Sequence, residues 1–340
     1  MKVAIHHRGG SFSDYWIKYC QENNFDYEIV SAFDTNIIEK IRDFDVFVWH
    51  YHHANFKDSI TAQKILFSLE HAGIKVFPDF KTGWHFDDKV AQKYLLESFK
   101  APLVPSYVFY CKKEAIEWLG STSFPKVFKL KGGAGGSNVI LVKNFKDAKK
   151  IVSKAFGKGF SLFNKLDNLK ESYRNVKVGN KPFIDLIKAI YRMVFIPKNM
   201  KNIPNEKGYV YFQEFIPNNK TDFRIKVVGD KCWGFQRKVR DNDFRASGSG
   251  NLIFDYQMIP IDMIKIAFKI TEELGLQSVA YDFVIDDKGQ PLIVEMCYGF
   301  GIDERELSYG YWNKKLEWII SSFDPRYLII DEIIKGKNTK

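Results

Sequence analysis

Along residues 1 to about 101, short apolar runs alternate with stretches whose apolar positions recur every three or four residues. KVAI (2–5), YEIV (27–30), DVFVW (45–49) and IKVFP (74–78) read as strands, while DYWIKYCQEN (14–23), TNIIEKIRD (35–43) and SITAQKILFSLEHAG (59–73) read as helices. Strands separated by helices predict a parallel sheet with covered faces. Ligands of such sheets collect beyond the carboxyl ends of the strands, so the loops HHRGGSFSD (6–14) and HYHHANFKD (50–58) are expected to border one crevice. His50, His52 and His53 raise the question of a metal. Neighbouring residues of an extended chain point to opposite sides, and no carboxylate or cysteine pattern accompanies them, so substrate contact or plain surface is the better reading.

The period changes next to a helix over 87–98, DDKVAQKYLLES, with Asp87 or Asp88 as its N-cap. SYVFY (106–110), KEAIEWLG (113–120), KVFKL (126–130), a glycine run, NVILV (138–142) and FKDAKKIVSKAF (145–156) follow as strand, helix, strand, loop, strand and helix. Residues 158–207 break this rhythm with scattered Lys and Arg and the amphipathic piece PFIDLIKAIYRMVFIP (182–197). A lid or a membrane- or polymer-docking surface is one account of that piece; a helix packed on its own domain is the commoner outcome and the one expected. After Gly208 the chain becomes rich in strands: YVYFQEFI, DFRIKVVG, KCWGFQRKV, NLIFD, a helix near 261–275, VAYDFVID and PLIVEMC, with hairpin turns at VVGDKCW and IDDKGQP. The fold class is therefore α/β, turning to α+β in the C-terminal part. Its three parts are 1–101, 102–208 with the basic insertion 158–207, and 209–335, before a frayed KGKNTK.

Composition narrows the function classes. With 340 residues, 45% hydrophobic and 27% charged, the chain is expected to be globular, and its formal charge of +10 favours an anionic ligand, polymer or membrane surface. Cys20, Cys111, Cys232 and Cys297 stand far apart, which suggests neither a zinc site nor a disulfide framework and fits a reducing cytoplasm. No stretch approaches the roughly 20 apolar residues of a membrane span, and the N-terminus lacks an apolar signal core.

The glycine run KGGAGGSN (131–138) lies between two strands. It lacks the Gly-Lys-Ser/Thr of a P-loop and the strand, G-x-G-x-x-G, helix order of a dinucleotide fingerprint. A hairpin tip and a phosphate cradle both stay open from the loop alone. Lys129 and Lys131 alternate with Phe128 and Leu130, so the two lysines are expected on one strand face, where ammonium and loop amides could grip one phosphate. Asp282 and Glu295 sit in consecutive apolar strands and are expected to face each other without a basic partner, as a hard-cation site would require. Arg224 and Arg237 fall on adjacent predicted strands, where their guanidinium groups would suit a developing phosphoryl or acyl-phosphate charge; an outer sheet face is the competing account.

The order of DDK, KVFK before a glycine loop, QEFI, DFR, QRKVRDNDFR, YDF and VEM resembles the ATP-grasp superfamily of carboxylate-amine ligases, such as glutathione synthetase and the ribosomal-protein glutamate ligases, across residues 87–301. The resemblance implies that ATP and one or two Mg2+ ions bind here. Lys89, Lys129 and Lys131 with Gly132, Gly133, Ala134, Gly135, Gly136 and Ser137 would take the phosphates. Gln213, Glu214, Phe215 and Ile216 would border the adenine, with Asp222 and Arg224 in the family's Asp-x-Arg pattern. Arg224, Arg237 and Arg245 would serve catalysis, and Asp282 and Glu295 would hold magnesium. Cys297 departs from the family's usual Glu-x-Asn. The implied reaction is an ATP-dependent amide synthesis through an acyl-phosphate, with a small-molecule or glycan carboxylate and an amine as partners. VEMCYGFG and SYGYWNKKLEW further resemble ATP-grasp proteins of capsule and surface-polysaccharide pathways, in which an amine is joined to a sugar carboxylate. A homodimer is allowed; nucleic acid is not the expected partner. The rival accounts are an ATP-grasp-type kinase or phosphotransferase and a non-catalytic polyanion-binding protein.

Overall fold

The computed structural model describes residues 1–336 except 53–54, 133–137, 163–167, 171, 174–175, 177–181, 195–203, 240–242, 247 and 249. The expected phosphate-loop residues Gly133, Ala134, Gly135, Gly136 and Ser137, and His53, thus lie outside the described residues.

The first part is the predicted parallel sheet. β1 (Lys2–His6), β2 (Asp26–Val30), β3 (Val46–Val48) and β4 (Lys75–Phe77) stand in the order β2-β1-β3-β4. They alternate with α1 (Phe12–Glu22), α2 (Ile37–Ile41) and α3 (Phe56–His71), and the short α4 (Phe80–Gly83) follows. Val3, Ile5, Val46 and Val48 are fully buried because helices cover a parallel sheet on both faces. α5 (Lys89–Ser98) leads out, with the Asp88 carboxylate accepting from the N–H groups of Val90 and Ala91 at 3.0 Å each, the capping expected of that sequence.

β5 (Ser106–Phe109), α6 (Lys112–Ser121), β6 (Lys126–Lys129), β7 (Val139–Val142), α7 (Phe145–Ala155), α8 (Phe183–Val194) and β8 (Val210–Glu214) make the second part. Its strands pair antiparallel in the order β5-β8-β6-β7 over a core of Phe128, Leu130, Val152 and Phe212. α8 does not pack as expected. Phe183, Ile184, Ile187 and Ile190 are 65%, 51%, 48% and 55% exposed, and the buried side chain is the small Ala189.

The third part is a larger sheet of β9 (Thr221–Val228), β10 (Lys231–Lys238), β11 (Leu252–Ile253), β12 (Ser278–Ile285), β13 (Pro291–Cys297), β14 (Tyr311–Trp312) and β15 (Trp318–Ile319), with α9 (Ile261–Leu274) against it. Its order is β13-β12-β9-β10-β14-β15, with β11 also on β10. Strand alternation divides the chemistry: Phe223, Ile225, Val227, Tyr281 and Phe283 join the core containing α9, whereas Asp222, Arg224 and Lys226 occupy the other face of β9. The chain then returns to its beginning. α10 (Pro325–Lys335) places Ile329, Ile330, Ile333 and Ile334 in the core of the first sheet, and Trp16 Nε1 donates to the carbonyl of Arg326 at 3.1 Å.

Candidate active site

Two clefts meet at the third part, one shared with the second part and the other with residues 52 and 86–92. One, of about 330 Å³, has apolar walls that include Val104, Val127, Phe215 and Val294; the other, of about 560 Å³, is bordered by Gln92, Arg224, Cys297 and Phe300. Lys89, Arg237 and Glu295 border both.

Lys129 ends β6, buried, with its Nζ donating to Gln213 Oε1 at 2.6 Å. The Gln213 amide is fixed from its other end: Nε2 donates to Ser106 Oγ at 3.1 Å and to the Val294 carbonyl at 3.3 Å, and Tyr211 OH donates to the same Ser106 Oγ at 2.9 Å. This network turns the amide oxygen toward the ammonium. Burial pushes the Lys129 pKa down to about 8, against the opposing pull of Glu295. Lys89, the first residue of α5, lies with its Nζ 3.5 Å from Glu295 Oε2. Burial works against its charge, yet Glu295 and Asp87 outweigh burial and raise its pKa. Glu295 answers in kind: burial would raise its pKa, and Lys89 and Lys129 hold it below the usual value.

Asp282 and Glu295 are indeed register partners across β12 and β13, beside a bulge at Asp282/Phe283. The expectation that they lack a basic partner is corrected. Arg224 is the register partner of Asp282 on its other side, in β9, and grips both carboxylate oxygens, Nε to Oδ1 at 2.7 Å and Nη2 to Oδ2 at 2.8 Å. Arg237 Nη2 reaches the same Oδ2 at 2.9 Å while pairing with Asp222 at 2.7 and 2.6 Å. Burial acts upward on Asp282, and the two guanidinium groups overcome it, holding the carboxyl well below its usual range. The outer-face account of the arginines is excluded, since Arg237 is buried and Arg224 faces the cleft from a bidentate pair. Among the described residues no group of three or more His, Cys, Asp or Glu converges as a metal cluster. Two carboxylates of hard oxygen suit magnesium here alongside a ligand that brings oxygens of its own.

The remaining expected residues divide. Lys131 does not share the environment of Lys129: β6 stops at Lys129, and the Lys131 side chain leaves toward Glu206, 3.9 Å away, with 44% exposure. Gly132 passes so close to Asp87 that a Cβ would lie 3.2 Å from its carboxylate. Glu214 spends its carboxylate on Lys126, at 2.7 and 2.8 Å, and its N–H on the Pro105 carbonyl, so its own carbonyl is what it can offer a ligand. Phe215, Ile216 and Asp222 border the first cleft, and so does Arg245, paired with Asp243 at 2.7 Å. Cys297 borders the second cleft, where burial pushes its thiol up to about 12, so it is a neutral thiol.

The two N-terminal loops expected to border one crevice come together, but of their described residues only His52 borders either cleft. Ser11 Oγ lies 3.0 Å from His50 Nδ1, His50 stacks on Phe12 with burial pushing its pKa down to about 3, and His52 borders the second cleft. The sequence reading missed Ser106 and Tyr211, which have no local signature, and Glu306. That carboxylate is fully buried and accepts from Lys226 Nζ at 2.8 and 2.6 Å, from Trp233 Nε1 at 2.7 Å and from the Asp303 N–H at 2.7 Å. With Lys226 Nζ also donating to the Gly301 carbonyl at 2.7 Å, the network pins the 299–306 wall of the second cleft.

Comparison with known proteins agrees with this geometry. Residues 193–311 match the family model of the RimK-like ATP-grasp domain. The alpha-aminoadipate–LysW ligase LysX of Saccharolobus solfataricus is 22% identical over 233 residues, 68% of this chain and 68% of that one. A RimK domain ATP-grasp protein from Sphaerobacter thermophilus superimposes with a TM-score of 0.57 at 16% identity, covering 98% of this chain and 100% of that one. The biotin carboxylase domain of the Hydrogenobacter thermophilus 2-oxoglutarate carboxylase, solved with MgADP, gives 0.58 at 15% identity over 99% of this chain and 70% of that one. The chain has the ATP-grasp fold and carries a RimK-like ATP-grasp domain across residues 193–311.

Proposed function

We propose that the protein is an ATP-dependent ligase that joins a carboxylate to an amine. The observation that carries this reading is the meeting of two clefts at Lys89, Arg237 and Glu295: an apolar-walled one for the nucleotide and a second one, bordered by Arg224, for the acyl substrate. A kinase would need no room for an amine beyond the phosphate acceptor, so the second cleft favours ligation. A polyanion-binding role leaves Asp222, Asp282 and Glu295 in the cleft without purpose.

The carboxylate oxygen of the substrate attacks the γ-phosphorus, and the bond to the β-phosphate oxygen breaks, releasing ADP. The amine nitrogen then attacks the acyl carbon, the C–N bond forms, phosphate leaves, and the amine gives up a proton. Lys129 and Lys89 place fixed positive charge at the phosphates, and the main chain of Glu214 and Ile216 borders the adenine edge. Arg224 holds its guanidinium where the second cleft can present a carboxylate to it. Asp282 and Glu295 would hold magnesium, which supplies neutralisation of charge on the transferring phosphoryl group. The glycine run 132–137, expected from the sequence to keep water from the acyl-phosphate, lies outside the described residues except for Gly132.

The finer reading is that the carboxylate belongs to an anionic sugar such as a uronic acid of a surface polysaccharide, in a cytoplasmic reaction. Arg224 and Arg237 beside the second cleft support an anionic substrate. A matrix of carboxylates against amines, scored for ADP and phosphate release, tests both levels. Turnover requiring a carboxylate and an amine together is expected; phosphate transfer to a hydroxyl acceptor without amine would replace the ligase with a kinase, and turnover confined to amino-acid carboxylates would remove the sugar.

A further inference from the structure

Independently of the ligase reading, we propose that α8 is an interfacial anchor that lays the protein on an anionic lipid surface. Phe183, Ile184, Ile187 and Ile190 recur at one side of the helix, and each is about half exposed or more. Ala189 is the buried side chain among those described in this helix, Leu186 and Met193 are half-buried, and the stripe turns large apolar side chains to solvent. A stripe of this kind on a monomer marks an interaction face.

The net charge of the segment that carries the stripe selects the occupant. Residues 158–207 contain eleven Lys and Arg against four Asp and Glu, a net of seven of the chain's ten positive charges, so the other 290 residues are close to neutral. A second copy mating through the same face would bring two such segments together, like charge on like charge. A nucleic acid would satisfy the cations and leave the isoleucines in water. An anionic bilayer satisfies both, with acyl chains taking the stripe and headgroups taking the lysines and arginines. At about 18 Å the helix is too short to span and must lie in the plane, and no helix of the described residues is long and apolar enough to cross. The stem of the segment is short and firmly tied: Phe160 and Glu206 exchange N–H to carbonyl bonds at 2.9 and 2.8 Å, and the Gly208 N–H donates to the Ala155 carbonyl at 3.0 Å. The anchor therefore has a fixed root beside the small sheet.

Co-sedimentation of the full chain with vesicles provides the test. Binding is expected to phosphatidylcholine vesicles containing about one-third phosphatidylglycerol, to fall several-fold between about 0.1 and 0.5 M salt, and to be absent with phosphatidylcholine alone. Ile187→Glu/Ile190→Glu should weaken partition by roughly a hundredfold, with circular dichroism, Tm and stabilisation by an ATP analogue unchanged because both side chains are exposed in the free protein. Failure of the wild type to bind the anionic vesicles would overturn the proposal, as would equal binding by the double variant. A dimeric wild type that becomes monomeric in the double variant would assign the stripe to a second copy instead. Nucleic-acid binding abolished by the double variant would assign it to that polymer.

Discussion

Glu306→Gln removes one charge from an ion pair whose two side chains are fully buried. It leaves the Lys226 ammonium with the Gly301 carbonyl at 2.7 Å and the ring faces of Phe235 and Phe300 at 5.1 and 5.0 Å. Stripping one partner from a buried pair costs about 3–5 kcal/mol. An upper bound comes from the alternative open to the lysine. Burial already presses its pKa down to about 8, and without Glu306 it can shed its proton, which at neutral pH costs about 4.6 kcal/mol relative to a lysine in the unfolded chain. The expected loss is thus about 3–5 kcal/mol, or a fall in Tm on the order of 10 °C. The sign of the pH dependence follows from the same route. A folded variant with neutral Lys226 binds one proton fewer than its unfolded chain, so its stability gains about 1.4 kcal/mol per pH unit as pH rises toward 10, while the wild type gains at that rate only above about pH 8, where its own Lys226 loses the proton; the deficit therefore shrinks up to about pH 8 and is flat beyond. Urea unfolding at several pH values, with Lys226→Met closing a double-mutant cycle, measures both quantities. The double variant should be less destabilised than the sum of the singles by about 2–3 kcal/mol. A coupling below about 1 kcal/mol would refute the reasoning, because the two charges would then not be stabilising each other.

Lys129→Ala is expected to lower ATP-dependent phosphate release by at least about a hundredfold while the protein stays folded; ordinary turnover would remove Lys129 from the phosphate site. Since burial sets its pKa near 8 in the free protein, the protonated form that binds phosphate is depleted above that pH. kcat/KM for ATP should therefore fall on the alkaline side of about 8, whereas kcat at saturating nucleotide should be flatter because bound phosphate restores the proton; parallel profiles would contradict this. Ser106→Ala releases the Gln213 amide from the group that orients it and should raise KM for ATP roughly tenfold with little change in kcat, an effect absent if Gln213 is oriented by Val294 alone. Glu295→Gln should raise the magnesium requirement steeply, and Cys297→Asn should lower it if position 297 faces the ion; an unchanged requirement in Cys297→Asn would place that side chain on the substrate side.

Much of this arrangement was legible because strands and sites share one rule. Alternation along DFRIKVV separates Asp222, Arg224 and Lys226 from Phe223, Ile225 and Val227, and the structure keeps that division. Hairpin pairing brought Asp282 opposite Glu295 as read from the turn between them. What alternation within one hairpin does not contain is the third strand. Arg224 meets Asp282 because β9 lies between β10 and β12, an order of strands set by packing over α9 and not by proximity in sequence. Glu306 eluded the reading for a related reason: its partners Lys226 and Trp233 are 80 and 73 residues away. α10 was open to prediction, since Asp324 before Pro325 caps it and isoleucines recur on one face. Its destination on the first sheet was not, because both neighbouring cores are apolar and periodicity names no partner.

The charges of the clefts explain why a triphosphate would need a metal there although lysines and arginines line them. Lys89, Lys129, Arg224, Arg237 and Arg245 border the two clefts with Asp87, Glu214, Asp222, Asp243, Asp282, Glu295, Asp303 and Glu306, five cations against eight anions, most of them already engaged in ion pairs. A triphosphate brings about four negative charges, so the protein alone leaves most of them uncompensated in a partly dry cleft. Freeing the arginines to meet the phosphates would expose Asp282 and Asp222 as buried unpaired anions, at a cost comparable to the gain. A divalent cation would resolve the conflict: Asp282 and Glu295 would hold it, and it would add positive charge without requiring the arginine pairs to break. The pairing that contradicted the simple carboxylate site is, on this account, what keeps Arg224 turned toward the second cleft, where a carboxylate substrate would meet it.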